Sequence, residues 1–485
     1  MASNRFDAHP KLIELQLLRH GETQNQLLSP LTDYLALCGD HPSTTVRFPL
    51  KHRSLLTRLR AMDYGDSTLT RLDQKDELSA LVTDVLEDVP GLISELATCQ
   101  KQLAHLSLAS SAAELAMVPF ELALTPAGIP GAGQPLCLQP HVPVCLTRRS
   151  RNVNKPRVNW RRKTRILMIS SDAGGEIPVR AHYAALRKAI DPWLDLETRS
   201  DDSLRQKSIQ QHLYFLHNPT MKQLSDLLKV EHFSHVHLLA HGAPTDSEST
   251  QFGVVMPGVS QSCPAEVVSG ERLGEILGFR PEHPNRSPLF VSLAVCQSGR
   301  HSSVIMPGSS MAFQLHDKGI PVVVGSQFPL SFAGSIIMTR ELYDGLLRGQ
   351  DPRIVVWNTR RALHAQSANC ITLDTDGGPP IYHAPMHDWA SMTVYAEFPD
   401  NIDDILPDLE RDRIVFRMTP RMDYLDRVSR RWGDGDLRPD PTLSDLEHTS
   451  LEQAGNSIKE LDRWIQAFPW QQMQHGRHTA SLGLL

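Results

Sequence analysis

The chain is short of aromatic residues, net charge, paired cysteines and long apolar runs, and each shortage closes off a class of protein. Aromatic residues make up only 6%, yet 40% of the 485 residues are hydrophobic, which excludes a disordered or fibrous protein. Lys and Arg number 49 against 55 Asp and Glu, a net charge of −6 that gives no reason to expect a polyanion partner. The longest apolar runs, such as LFVSLAV (289–295) and IPVVVG (320–325), are far shorter than the roughly 18 to 20 residues of a membrane span. The opening MASNRFDAHPK holds no apolar core of a secretory signal, so a cytoplasmic location is expected. Seven cysteines (38, 99, 137, 145, 263, 296 and 370) form no CxxC pair, so reduced thiols are expected, most of them small buried hydrophobes. No repeat of 20 to 50 residues is present.

What is there is a rhythm of strands and helices. LIELQLL (12–18) reads as a strand, and Asp76 to Leu108 reads as two packed helices interrupted at Pro90-Gly91. Residues 109–147, rich in Pro, Gly and Ala, suggest brief strands and turns. Nine Lys or Arg between Arg148 and Arg165 with no acid read as an exposed connector rather than a nucleic-acid patch. From 165 onward RILMIS, HVHLLAH, PLFVSLAVC and IPVVVG alternate with helical stretches, including MKQLSDLLK (221–229) and GERLGEILG (270–278). Short, continuously apolar strands separated by helices predict an α/β fold, a mostly parallel sheet with helices on both faces. A charged, Pro-containing stretch follows residue 400, and a capped helix is expected at 450–468.

Two of these strands end in reactive side chains, and in open parallel sheets such groups sit beyond the carboxyl ends of the strands. HVHLLAH ends in His241-Gly242, and FVSLAVC ends in Cys296-Gln297-Ser298-Gly299. A shared sheet would bring an imidazole and a thiol to one rim. A Cys with a pKa near 8.5 is mostly neutral at pH 7 and needs such a base to become a nucleophile. The backbone N–H groups of Gly242 and Cys296 are the candidate oxyanion donors.

These residues resemble the CHAT group of caspase-like cysteine peptidases. HVHLLAHGAP is similar to that family's apolar strand ending in His-Gly, and PLFVSLAVCQSG to its strand ending in Ala-Cys-x-Ser-Gly, with Val295 where the family more often has Ala. IPVVVGSQFPLS and the upstream AELAMVPFELAL (113–124) resemble two further family segments, so the likeness extends over roughly 80–400. The resemblance implies a caspase-like three-layer sandwich and a cysteine endopeptidase needing no cofactor or metal, with His241 as general base and Cys296 as nucleophile. It also implies that Asp172, after the first core strand, and Gln327 line the substrate site, Asp172 selecting Arg or Lys. The alternative for Asp172 is plain turn or capping chemistry, and if it does bind Arg or Lys, 148–165 becomes a self-cleavage segment. Partners implied are a protein substrate and an activating protein or nucleic-acid-sensing complex in bacterial antiviral defence or cell death. The chain then divides into an N-terminal region (1–75), the first part of the CHAT-like domain (76–160), its catalytic core (161–400) and a C-terminal linker and helix (401–485).

Other readings stand beside this one. The same fold with spoiled catalytic geometry would serve as a docking module. Leu18-Arg19-His20-Gly21-Glu22-Thr23 matches the opening signature of the histidine phosphatases, though over about ten residues only and with Asn25 one place early. His232, His235 and His237 lack Cys or carboxylate partners at zinc-ligand spacing. SSDAGGE fits neither phosphate-loop pattern.

Overall fold

The computed structural model describes residues 9–19, 27–62, 68–99, 102–150, 158–173, 175–190, 202–245, 252–260, 263–279, 286–296, 308–328, 330–368 and 387–413. Contacts group them into two units, Met1–Ile190 with Gln210–Leu409, and Asp191–Ile209 with Glu410–Leu485. The second lies mostly outside the described residues, as does the helix expected at 450–468. The first holds the site.

In chain order its first half runs β1 (Lys11–Arg19), β2 (Asp33–Cys38), β3 (Thr44–Arg47), α1 (His52–Arg60), α2 (Thr68–Glu87), α3 (Pro90–Ala97), β4 (Ala104–Ser110) and β5 (Val144–Ser150). Then come β6 (Ile166–Ser171), α4 (Val179–Ile190), α5 (Asp202–His212, of which Asp202–Ile209 belong to the second unit), β7 (Leu213–His217), α6 (Met221–Val230), β8 (His235–Pro244), β9 (Phe252–Ser260), β10 (Cys263–Ser269), α7 (Gly270–Leu277) and β11 (Phe290–Cys296). The rest is α8 (Gly308–Asp317), β12 (Val322–Ser326), α9 (Phe332–Leu347), α10 (Pro352–Ala368), α11 (Asp388–Ser391) and β13 (Met392–Ala396).

Strands β7, β6, β8, β11 and β12 pair in parallel, in that order. The antiparallel pair β12–β13 joins them to a second parallel block of β13, β5, β4 and β1, with β2 and β3 at its edge. The β9–β10 hairpin extends the far end of β8. This is the α/β, mostly parallel architecture that the continuous apolar strands predict.

Each core strand divides its residues between two helical layers. Val236, Leu238 and Ala240 of β8, with Val291 and Leu293 of β11, pack on Leu224 of α6, Leu273 and Leu277 of α7 and Met311 and Leu315 of α8. The opposite face carries His237 and Ser292 against His182 of α4 and Ser335 and Thr339 of α9. Ser335 Oγ donates to Phe332 O at 2.8 Å, so it accepts from His182 Nε2 at 3.0 Å. His182 Nδ1 therefore accepts from His237 Nε2 at 2.9 Å, and His237 Nδ1 from Ser292 Oγ at 2.8 Å. Burial lowers both imidazoles below their ordinary value and keeps both rings neutral, which sets this polarity.

Two expectations are corrected. Ala104–Ser110, taken with the preceding helices, is strand β4, buried on both faces between β1 and β5. A short apolar run fits either period, and here the paired strands decide. The basic connector does not begin at Arg148: Arg148–Ser150 lie in β5, and Arg148 is buried because an acid is buried opposite it. A strand in the middle of a sheet cannot enter a protease cleft, so Arg148 and Arg149 are not self-cleavage sites; residues 151–157 lie outside the described residues.

Burial holds the imidazoles of His182 and His316 down at about 4 and those of His105 and His387 at about 3. The unfolded chain takes up protons at ordinary histidine values of about 6.5 while the folded one does not, so falling pH favours unfolding. Urea titrations are expected to show stability fully present above about pH 6.5 and falling steadily toward pH 4, with a shallower slope in His182→Asn.

Candidate active site

His241 is 3% exposed near the carboxyl end of β8. Its Nε2 lies 3.1 Å from the carbonyl oxygen of Glu176, in the loop from β6 to α4. A carbonyl can only accept, so Nε2 carries the proton and the basic lone pair of the neutral ring is on Nδ1. Cys296 ends β11, and the parallel register places it directly beside His241. Neighbouring strands lie about 4.8 Å apart, and a side-chain period of two puts positions 241 and 296 on one face, the face of the polar chain at His237 and Ser292. The remainder of the Cys-Gln-Ser-Gly motif, 297–307, lies outside the described residues.

The other cysteines make a contrast. Cys38, Cys99, Cys137 and Cys145 are free and buried. Burial pushes Cys38 and Cys137 up to about 11 and Cys145 to about 12, and raises Cys99 as well. Thiols held that far above neutrality are inert structural hydrophobes. Cys263 opens β10, and Cys370 lies outside the described residues.

Asp172 follows β6 immediately. Its predecessor Ser171 pairs with Ala240, one residue before His241, so Asp172 follows β6 at the same end of the sheet, on the side of β8 away from β11. Its carbonyl closes a turn with Gly175 N at 2.9 Å, the chemistry of the alternative reading, yet its side chain is 49% exposed. Gly242 continues β8 and is in register with Val254 of β9.

Gln327 is fully buried. Its amide nitrogen donates to Met117 O at 2.5 Å, and its oxygen accepts from Arg148 Nη2 at 2.7 Å. Arg148 also donates through Nε to Glu121 Oε1 at 3.0 Å, pairs through Nη2 with Glu121 Oε2, and donates to the carbonyls of Ala116 and Val118 at 2.7 and 2.9 Å. Arg360 approaches the same carboxylate at 3.9 Å and donates to Leu146 O and Met392 O, each at 3.0 Å. The segment VPFELAL thus supplies the acid that lets two arginines enter the interior between the strand blocks, and Gln327 ties β12 to it.

The competing motifs take other roles. Arg19 donates to buried Glu114 at 3.0 Å, and Tyr34 OH reaches the same oxygen at 3.0 Å; His20 lies outside the described residues. His235 contacts Ser234 Oγ at 2.8 Å, and His237 belongs to the polar chain. Among the described residues no cluster of His, Cys, Asp or Glu is arranged to hold a metal ion. The Glu176 carbonyl escaped the sequence reading because a main-chain acceptor leaves no signature in residue type. Asn218, beside Asp172, escaped it because β7 is only five residues long.

Glu121→Gln leaves two buried guanidinium groups without their counter-charge and is expected to cost about 3 to 5 kcal/mol, read from the urea midpoint.

A model of the CHAT domain family matches residues 75–397. No curated protein matches the sequence. Similar solved structures include the Arg-specific cysteine proteinase gingipain R, at 13% identity over 68% of this chain and 75% of that one, TM-score 0.35. The complex of pro- and mature domains of Porphyromonas gingivalis RgpB shows 14% identity over 67% and 76%, TM-score 0.36. The Saccharomyces cerevisiae separase–securin complex shows 10% identity over 80% of this chain but only 30% of that one, TM-score 0.38. With the family model spanning well over half of its length, from α2 through β13, the chain belongs to the CHAT domain family.

Proposed function

We propose that the protein is a cysteine endopeptidase with Cys296 as nucleophile and His241 as general base. The observation that carries this reading is the register of β8 and β11, which sets the two residues side by side at one rim of the sheet. In the proposed reaction the thiol proton passes to His241 Nδ1 and the thiolate sulfur bonds to the scissile carbonyl carbon. The C=O electron pair moves onto oxygen, where the backbone N–H groups of Gly242 and Cys296 stabilise it. Collapse of this intermediate expels the amine, which takes the proton from the imidazolium and leaves a thioester on Cys296. Water, deprotonated by the same imidazole, attacks the thioester; its collapse releases the acid and restores the thiol. The Glu176 carbonyl accepts from Nε2 throughout, keeping the ring in one orientation.

The same proposal gives Asp172 the recognition of Arg or Lys at the cleaved bond, supported by its half-exposed carboxylate and its place directly after β6, the strand that pairs with β8. Gln327, with both ends of its amide engaged, acts behind the wall rather than on substrate. An activating protein or nucleic-acid-sensing partner in a cytoplasmic defence or cell-death setting rests on the family resemblance.

With fluorogenic peptides carrying Arg or Leu before the cleaved bond, Cys296→Ala is expected to lose all cleavage while keeping its urea midpoint. His241→Ala is expected to lose about 10²- to 10⁴-fold in rate. Asp172→Asn is expected to lose the Arg peptide selectively. Cleavage surviving in Cys296→Ala would refute the nucleophile assignment.

A further inference from the structure

Asp172 is held by one neighbour and faced by another. Asn218, directly after β7, adopts the left-handed backbone at φ 50°. From there its Oδ1 accepts from Asp172 N at 3.0 Å while its Nδ2 donates to Asp172 Oδ1 at 2.5 Å. One amide thus reads both the main chain and the carboxylate of the same residue and fixes the rotamer of an acid that is half in solvent. Among the described residues Asp172 Oδ2 accepts no hydrogen bond, and His217 Nε2 lies 3.8 Å from it.

His217 is tuned to that position. The Asn218 amide nitrogen approaches His217 Nε2 at 3.2 Å and can only donate, so in the neutral ring Nε2 accepts and Nδ1 donates to Ser170 Oγ at 2.9 Å. The ring stacks on Phe215, with centroids 5.9 Å apart, and is 47% exposed. Its neighbours are Ser170 on β6, Phe215 and Asn218 on or after β7, and Asp172 in the loop after β6; of these only Asp172 is charged. Protonation changes two contacts at once. Nε2 can no longer accept from Asn218, and it becomes a cationic donor aimed at Asp172 Oδ2.

We propose that Asn218 and His217 set the basic-residue preference of the Asp172 subsite: Asn218 aims the carboxylate at an incoming guanidinium or ammonium group, and protonated His217 competes for it. The proposal rests on the reading of Asp172 as the cation subsite. Its consequence is a site open to basic side chains while His217 is neutral and progressively closed as His217 takes a proton. An exposed ion pair of this kind is weak, so the effect is about two- to fivefold.

The test is calorimetric binding of benzamidine, a cation throughout, to the full chain at pH 7.5 and pH 5.5; it needs no turnover. Wild type is expected to bind about two- to fivefold more weakly at pH 5.5. His217→Gln is expected to bind equally at both values, and Asn218→Gly, which tolerates the left-handed backbone, to bind more weakly at both. Asp172→Asn is expected to lose binding. Equal wild-type binding at the two pH values, or pH dependence persisting in His217→Gln through the nearby His241, overturns this inference while leaving the Asp172 reading intact. No binding by wild type at pH 7.5 refutes the Asp172 reading itself, and this inference with it.

Discussion

Because side chains alternate along a strand, a slip of one residue between β8 and β11 would carry position 296 to the face opposite position 241. The register is secured from both sides of the sheet. On one face Val236, Leu238 and Ala240 interlock with Val291 and Leu293 against α6, α7 and α8, where any slip would expose aliphatic surface. On the other, Ser292 donates to His237, which donates to His182, which donates to Ser335. That chain has one polarity and one register in which every member is satisfied, and a slip would strand buried donors at a cost of about 1 to 3 kcal/mol each. His237 and Ser292 each stand four residues before His241 and Cys296 on the same strands, so the polar seam sets the geometry of the rim without touching it.

The second block of strands serves the first through a buried charge cluster. Glu121, Arg148 and Arg360 have almost no exposure, and their hydrogen bonds run to the carbonyls of Ala116, Val118, Leu146 and Met392 and to Gln327. Such a cluster adds little stability over an apolar core, but it tolerates few alternative arrangements. It joins the turn around Phe120, strand β5, helix α10 and the end of β12 in one arrangement, which gives a physical reason for the family match to include the segment around Glu121, far upstream of His241.

Much of the fold was legible because buried parallel strands need continuous apolar runs: RILMIS, HVHLLAH, PLFVSLAVC and IPVVVG all became strands of the central sheet. His241 and Cys296 were legible as neighbouring strand-end residues for the same reason, since each closes a continuous apolar run. What escaped was set by long-range partners. AHLSLAS reads equally as helix or strand until β1 and β5 flank it. Arg148 looks like surface until Glu121 meets it across 27 residues, and Gln327 looks like a ligand group until Arg148 meets it across 179. Strand β13 lies beyond a stretch with no clear period and joins the two blocks antiparallel, a connection no local pattern announces.

The central claim is that His241 activates Cys296, and the pH dependence of iodoacetamide alkylation, mapped by peptide mass in wild type and His241→Ala, tests it most directly. The account predicts that Cys296 alkylates fastest of the seven cysteines, with an apparent pKa below the ordinary 8.5 of a free thiol, and that His241→Ala returns it to that value or above. A Cys296 that titrates at the same pH in both proteins, or is as inert as Cys137 and Cys145, would contradict it.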